Sequence, residues 1–148
     1  MTIPEIRVSV VRDGGQKTEG RPALDCPARV AEMARGIVAG DEREHVIIFL
    51  LDSRSRVKSY SVISIGTLHA SLVHPREVFR PAIVAGAAGV ILCHNHPSGL
   101  VDPSPDDRDT TQRLVKAGEL IGIPVLDHVI IGNDETASFS FREHGLLS

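Results

Sequence analysis

An apolar run that ends in two alternating histidines constrains this chain more than any other stretch. Residues Ala87 to Cys93 are small or apolar, include Val90 and Ile91, and lead directly into His94-Asn95-His96-Pro97-Ser98-Gly99. Length and β-branched content predict a buried strand that ends where the histidines begin. Side chains alternate faces along a strand, so His94 and His96 point one way, Cys93 and Asn95 the other. The histidine pair can therefore converge on one ion. A catalytic zinc site typically uses three protein ligands and keeps a fourth position open for water. The best third ligand in the sequence is Asp107. Pro97, Gly99, Pro103 and Pro105 make the intervening stretch an irregular loop, and a helix is predicted from Asp106 onward. A carboxylate in its first turn can be carried back over the strand end.

Asp107 also has a simpler reading. Ser104, Pro105 and Asp107 match a helix start, with serine as N-cap, proline at the first helical position and an acid three residues after the cap. The two roles are compatible, since Ser104 can cap while Asp107 binds a metal. Two histidines on one strand face are costly to bury without partners, and a nearby carboxylate supplies one.

His94-x-His96, then ten residues, then Asp107, with Ser104 three before the aspartate, resembles the metal motif of the JAB/MPN (JAMM) metallopeptidases. The text from Tyr60 to Glu77 and the triplet Leu126-Asp127-His128 resemble the RadC branch of that superfamily, and the likeness runs from about Glu44 to the C-terminus. It implies a deaminase-like α/β sandwich, one zinc ion on His94, His96 and Asp107, and Ser104 as a donor to the oxyanion. An acid just before the first core strand serves such enzymes as general base, and Glu44 holds that position. The plainer reading places Glu44 in a solvated charge run with Glu42. Glu42 and the more distant Glu77 are the alternatives for the base. His74 is a candidate outer partner of the site on the same likeness, with helix capping as its ordinary role.

The rest of the chain fits one domain. Its 148 residues suffice for one core, and 42% hydrophobic content is that of a globular protein. We expect a single α/β domain with a mixed sheet and flanking helices, residues 1–40 adding an N-terminal strand and helix to a metal-binding core at 41–148. Ile6, Val8 and Val10 alternate with polar residues and predict a half-buried strand. Val30, Met33, Ala34, Ile37 and Val38 recur at helical spacing after Pro27, with Asp25 as a possible cap. His45 to Leu51 reads as a strand buried on both sides, and Asp52 to Arg56 as the turn into a second strand over 57–65. After a connection over 69–74, Pro75 opens a helix with Val78, Phe79, Ala82 and Ile83 inward, interrupted by Pro81. Val125 to Ile131 is a further apolar strand carrying Asp127 and His128, and Ala137 to Phe141 a short last one. His128 is either an outer partner of the metal or a hydrogen-bonded core histidine.

Composition separates the possible functions. A net charge of -3 and 3% aromatic residues with no Trp weaken electrostatic and stacking modes of DNA binding. Nucleic acid is thus a weakly supported partner, despite the DNA-repair label of the RadC family. The helix-hairpin-helix region of longer RadC-like proteins is also not found in this sequence. Cys26 and Cys93 make no disulfide framework and read as small buried residues in a reducing cytoplasm. Neither a signal peptide nor a transmembrane run is visible. A zinc deaminase would need H-x-E and P-C-x-x-C, which the sequence lacks. A Cys93–His94 protease would need side chains that the strand sends to opposite faces. The resemblance implies a zinc-dependent hydrolase of an amide, peptide or isopeptide, with a peptide, modified protein or small amide as substrate. The alternative is an interaction module without hydrolase activity.

Overall fold

The computed structural model describes residues 1–15, 17–66, 73–132 and 136–147. Its elements are α1 (Pro27–Val38), β1 (His45–Leu51), β2 (Val57–Ile65), α2 (Pro75–Val84), β3 (Gly89–Asn95), α3 (Pro105–Ile121), β4 (Val125–Ile131) and β5 (Ser138–Ser140). The strands form one five-stranded sheet in the order β2-β1-β3-β4-β5. β3 and β4 are parallel and joined through α3, and the other neighbours are antiparallel. This is the small mixed α/β domain expected from the sequence.

The sheet is covered on both faces, which explains why β1 and β3 are buried at every position. Val46, Ile48, Leu50, Val90 and Leu92 pack with Val78 and Phe79 of α2 and Leu114 of α3. Ile47, Phe49, Leu51, Ile91, Cys93 and Val129 form a second core with Val30, Ala31 and Ala34 of α1. The face covered by α2 and α3 carries the even-numbered residues of β3, so His94 continues that row.

Several local expectations are corrected. Residues 1–15 have no regular secondary structure, and Ile6 and Val8 are exposed. Alternation alone makes a strand only where a sheet edge receives it. The open edge of β2 is instead met at its start by Ala23, bridged to Arg56, with Val57 N donating to Pro22 O at 2.9 Å. The N-cap of α1 is Cys26 rather than Asp25, and Asp25 pairs with Arg29 across one exposed turn. Ile83 is exposed, because α2 buries only Val78, Phe79 and Ala82. β3 runs on through His94 to Asn95, held there by pairing with β1 and β4. Most of the connection over 69–74, and the turn residues Asn133 and Asp134, lie outside the described residues.

The two cysteines differ. Cys93 is fully enclosed, and burial pushes its thiol up to about 12, whereas Cys26 at the start of α1 is only half-buried. Burial keeps the thiol protonated and out of reach, so Cys93 is no nucleophile. A thiol reagent is expected to titrate one cysteine per chain in the native protein and two after denaturation. Rapid native reaction of both would contradict this packing.

Candidate metal centre

Sheet register builds the site from two segments distant in sequence. In the antiparallel β1–β3 pair, Val46 stands opposite His94. Glu44 lies just ahead of β1 and His96 just beyond β3. Glu44, His94 and His96 bring ligand atoms within 4.8 Å of one another. The parallel β3–β4 pair sets Leu92 beside His128 and His94 beside Ile130, so His94 and His128 share a face.

Asp107 reaches the same point from α3. Its Oδ1 lies 3.5 Å from His94 Nε2, its Oδ2 lies 3.3 Å from His96 Nε2, and the two Nε2 atoms are 2.8 Å apart. The capping role holds as well: Ser104 Oγ accepts from Asp107 N at 3.0 Å, and Ser104 N donates to Asp107 Oδ2 at 2.9 Å. Cap and carboxylate thus work together, with the helix start fixing where the acid points.

The donor set fits a cation. His96 Nδ1 lies 2.7 Å from the Leu100 carbonyl, which can only accept, so the ring's hydrogen sits on Nδ1 and Nε2 carries a lone pair. Lone pairs and a carboxylate facing one another at such distances repel unless a proton or metal ion stands among them. Two histidines and an aspartate are suitable zinc donors, and Glu44 lies close enough to His94 and His96 to make a second candidate grouping. Glu44 and Asp107 are therefore rivals for the ligand position beside the two histidines. We favour Asp107 as the ligand because each of its oxygens faces a different Nε2, and it is buried while Glu44 is half-buried.

A proton can take the cation's place. Hydrogen bonding to Asp107 raises His96 against the opposing effect of burial. Burial alone would raise the Asp107 carboxyl, yet its contacts with the imidazoles of His94 and His96 outweigh it and hold Asp107 well below the usual carboxylate range. The Asp107 contribution to stability is present above the unfolded carboxylate pKa and lost as pH falls. The His96 contribution is complete below the unfolded imidazole pKa and lost as pH rises through the raised value. Chelator-treated protein is therefore expected to melt progressively lower as pH rises through and above the imidazole range. Saturating zinc should remove that decline, and equal pH profiles with and without zinc would count against a shared site.

The surrounding cleft measures about 240 Å³, and Glu44, Ser104 and His128 line it together with His94, His96 and Asp107. Ser104 is exposed at its rim. His74 caps α2 by accepting from Arg76 N through Nδ1 at 3.1 Å, its ordinary role, and does not line the cleft. Glu42 is exposed and also outside the lining, while Glu77 pairs with Arg80 at 2.7 Å and borders another groove.

Two supports escaped sequence reasoning. Asn95, facing away from the histidines, clamps the segment that carries Glu44: its Oδ1 accepts from His45 N at 2.6 Å and its Nδ2 donates to Arg43 O at 2.9 Å. Asn95 thus orients Glu44 by holding both its neighbours. The only local signal was an amide between two candidate ligands. The second support is Gly132, where a Cβ would stand 2.6 Å from the Gly99 carbonyl. A side chain there would push away the loop that brings Leu100 O to His96.

The model of the RadC-like JAB domain matches residues 24–146. A UPF0758 protein of Rubrobacter xylanophilus is 51% identical over 141 residues, covering 95% of this chain and 59% of that protein. Another from Chlorobaculum parvum is 46% identical over 118 residues, covering 80% of this chain and 52% of its own length. A third, from Desulforamulus reducens, is 41% identical over 150 residues, covering 98% and 65%. The chain spans between half and two thirds of these curated relatives, whose names state no activity. With a family match over most of its length and a histidine–aspartate site at the end of its central strands, the chain belongs to the RadC-like JAB domain family.

Proposed function

We propose that this domain is a zinc-dependent hydrolase of amide, peptide or isopeptide bonds, acting on a peptide, a modified protein or a small amide. The observation that carries this reading is the convergence of His94 Nε2, His96 Nε2 and the Asp107 carboxylate in one cleft with Glu44 beside them. When bound, zinc supplies Lewis-acid polarisation of the scissile carbonyl and makes water nucleophilic near neutral pH. Glu44, held by the Asn95 clamp, takes the proton from the attacking water and returns it to the leaving amine. Ser104 Oγ accepts the Asp107 N–H, and its own hydrogen can be aimed at the developing oxyanion, a contribution of about 3 kcal/mol in comparable sites. Among the described residues no helix is long and apolar enough to cross a membrane, and two free cysteines suit a reducing cytoplasm.

The test begins with the metal. Protein purified without added zinc is expected to carry about one ion per chain, and His94→Ala and Asp107→Ala to lose it. An amide and isopeptide screen then follows on the loaded protein. Wild type that is empty and takes up no zinc on reconstitution would overturn the hydrolase reading in favour of a protein or nucleic-acid interaction module.

A further inference from the structure

We propose that Thr111 and His128 are positioning residues that determine which nitrogen His94 offers to the metal, taking the backbone carbonyl of Asp107 as their reference. The inference rests on the metal site proposed above and adds two residues that touch neither ion nor substrate in that reading.

The argument starts from an atom with no choice of role. A carbonyl oxygen only accepts, and Thr111 Oγ1 lies 2.7 Å from Asp107 O, so the hydroxyl hydrogen is committed there. Thr111 has no second hydrogen. Its oxygen must therefore accept from His128 Nδ1, 2.6 Å away. Burial favours a neutral imidazole, and His128 is fully buried and stacked on Phe141 with ring centroids 4.5 Å apart. With its hydrogen on Nδ1, neutral His128 presents a lone pair at Nε2. The partner there is His94 Nδ1 at 2.7 Å, which must donate. His94 Nε2 is left as the acceptor facing Asp107 and His96.

The chain closes on itself through one helical turn. Asp107 and Thr111 are four residues apart in α3, so one residue supplies both the carboxylate at the site and the carbonyl that sets the opposite ligand's tautomer. His96 reaches the same tautomer by a shorter route, directly from Leu100 O. Oriented partners of this kind commonly change metal affinity by 10 to 100-fold when removed.

The experiment compares wild type, Thr111→Val and Thr111→Ser by zinc competition titration and by imidazole nitrogen NMR of the chelator-treated proteins at alkaline pH. Valine keeps the shape without the hydroxyl, and serine keeps the hydroxyl. Wild type should show His94 protonated on Nδ1. Thr111→Val should bind zinc about 10 to 100-fold more weakly and shift the His94 tautomer population, while Thr111→Ser should restore both. Protonation of His94 on Nε2 in wild type would overturn the proposal, as would Thr111→Val with wild-type affinity and tautomers. The wild-type spectrum decides the question even where the valine variant does not fold. Absence of zinc binding in wild type, with His94 still protonated on Nδ1, would overturn the metal reading while leaving the tautomer relay in place.

Discussion

Glu44→Gln is expected to lower hydrolysis by about 10² to 10⁴-fold while zinc stays bound, because the substitution removes a proton acceptor without removing a ligand. That loss corresponds to roughly 3 to 5 kcal/mol of transition-state stabilisation. Asp107→Asn should behave oppositely. Its amide oxygen can preserve one polar contact of the helix start, yet the negative charge opposite His94 and His96 is gone, so zinc affinity falls first and activity falls with it. The pair of variants separates the two acids that crowd the same histidines. Metal analysis and steady-state rates on the amide identified by screening are the measurements. If Glu44→Gln lost the metal and Asp107→Asn kept it, the ligand assignment would be reversed and Asp107 would be left as a cap alone. Full activity in Glu44→Gln would remove Glu44 from the chemistry.

Asp127→Ala is expected to cause the largest loss of stability among single substitutions near the site, about 3 to 5 kcal/mol. Asp127 is 1% exposed and accepts from His128 N at 2.7 Å, Arg142 N at 3.0 Å and Ser140 Oγ at 2.6 Å. Alanine would strand these donors in the interior, where each unsatisfied group costs on the order of 1 to 3 kcal/mol. For a domain of this size the melting temperature should drop by roughly 10 °C. Asp127→Asn should lose less, since its oxygen can keep both backbone donors while Ser140 reorients. The carboxylate also ties the last turn to β4, where His128 and Phe141 stack, so zinc affinity should weaken along with stability. Melting curves and zinc titration at matched temperature check both effects. Near wild-type stability for Asp127→Ala would mean that the C-terminal turn holds itself.

The sequence by itself determined the parts whose information is local. The apolar runs at 45–51, 87–93 and 125–131 read as buried strands, and Pro75 and Ser104-Pro105 marked helix starts. Gly122 closes α3 in the left-handed region at φ 84°, which glycine adopts without strain. Alternation along one strand put His94 and His96 on one face, and the Ser104 cap predicted the helix start that carries Asp107. Those rules act within about one turn or two strand residues, so one sequence suffices to read them.

Tertiary structure decided the rest. Glu44 reads as one more residue of a charge run until the fold brings it beside His94 and His96. Asn95 has no visible task until the segment 43–45 lies beside it. Thr111 reads as one more residue on the buried face of a helix, and its link to His128 depends on how α3 crosses β4. The same alternation that marks true strands misleads at Ile6 to Val10, because no ladder partner is offered there. Pairing between segments depends on register and competing edges, and neither is written in the local pattern of side chains.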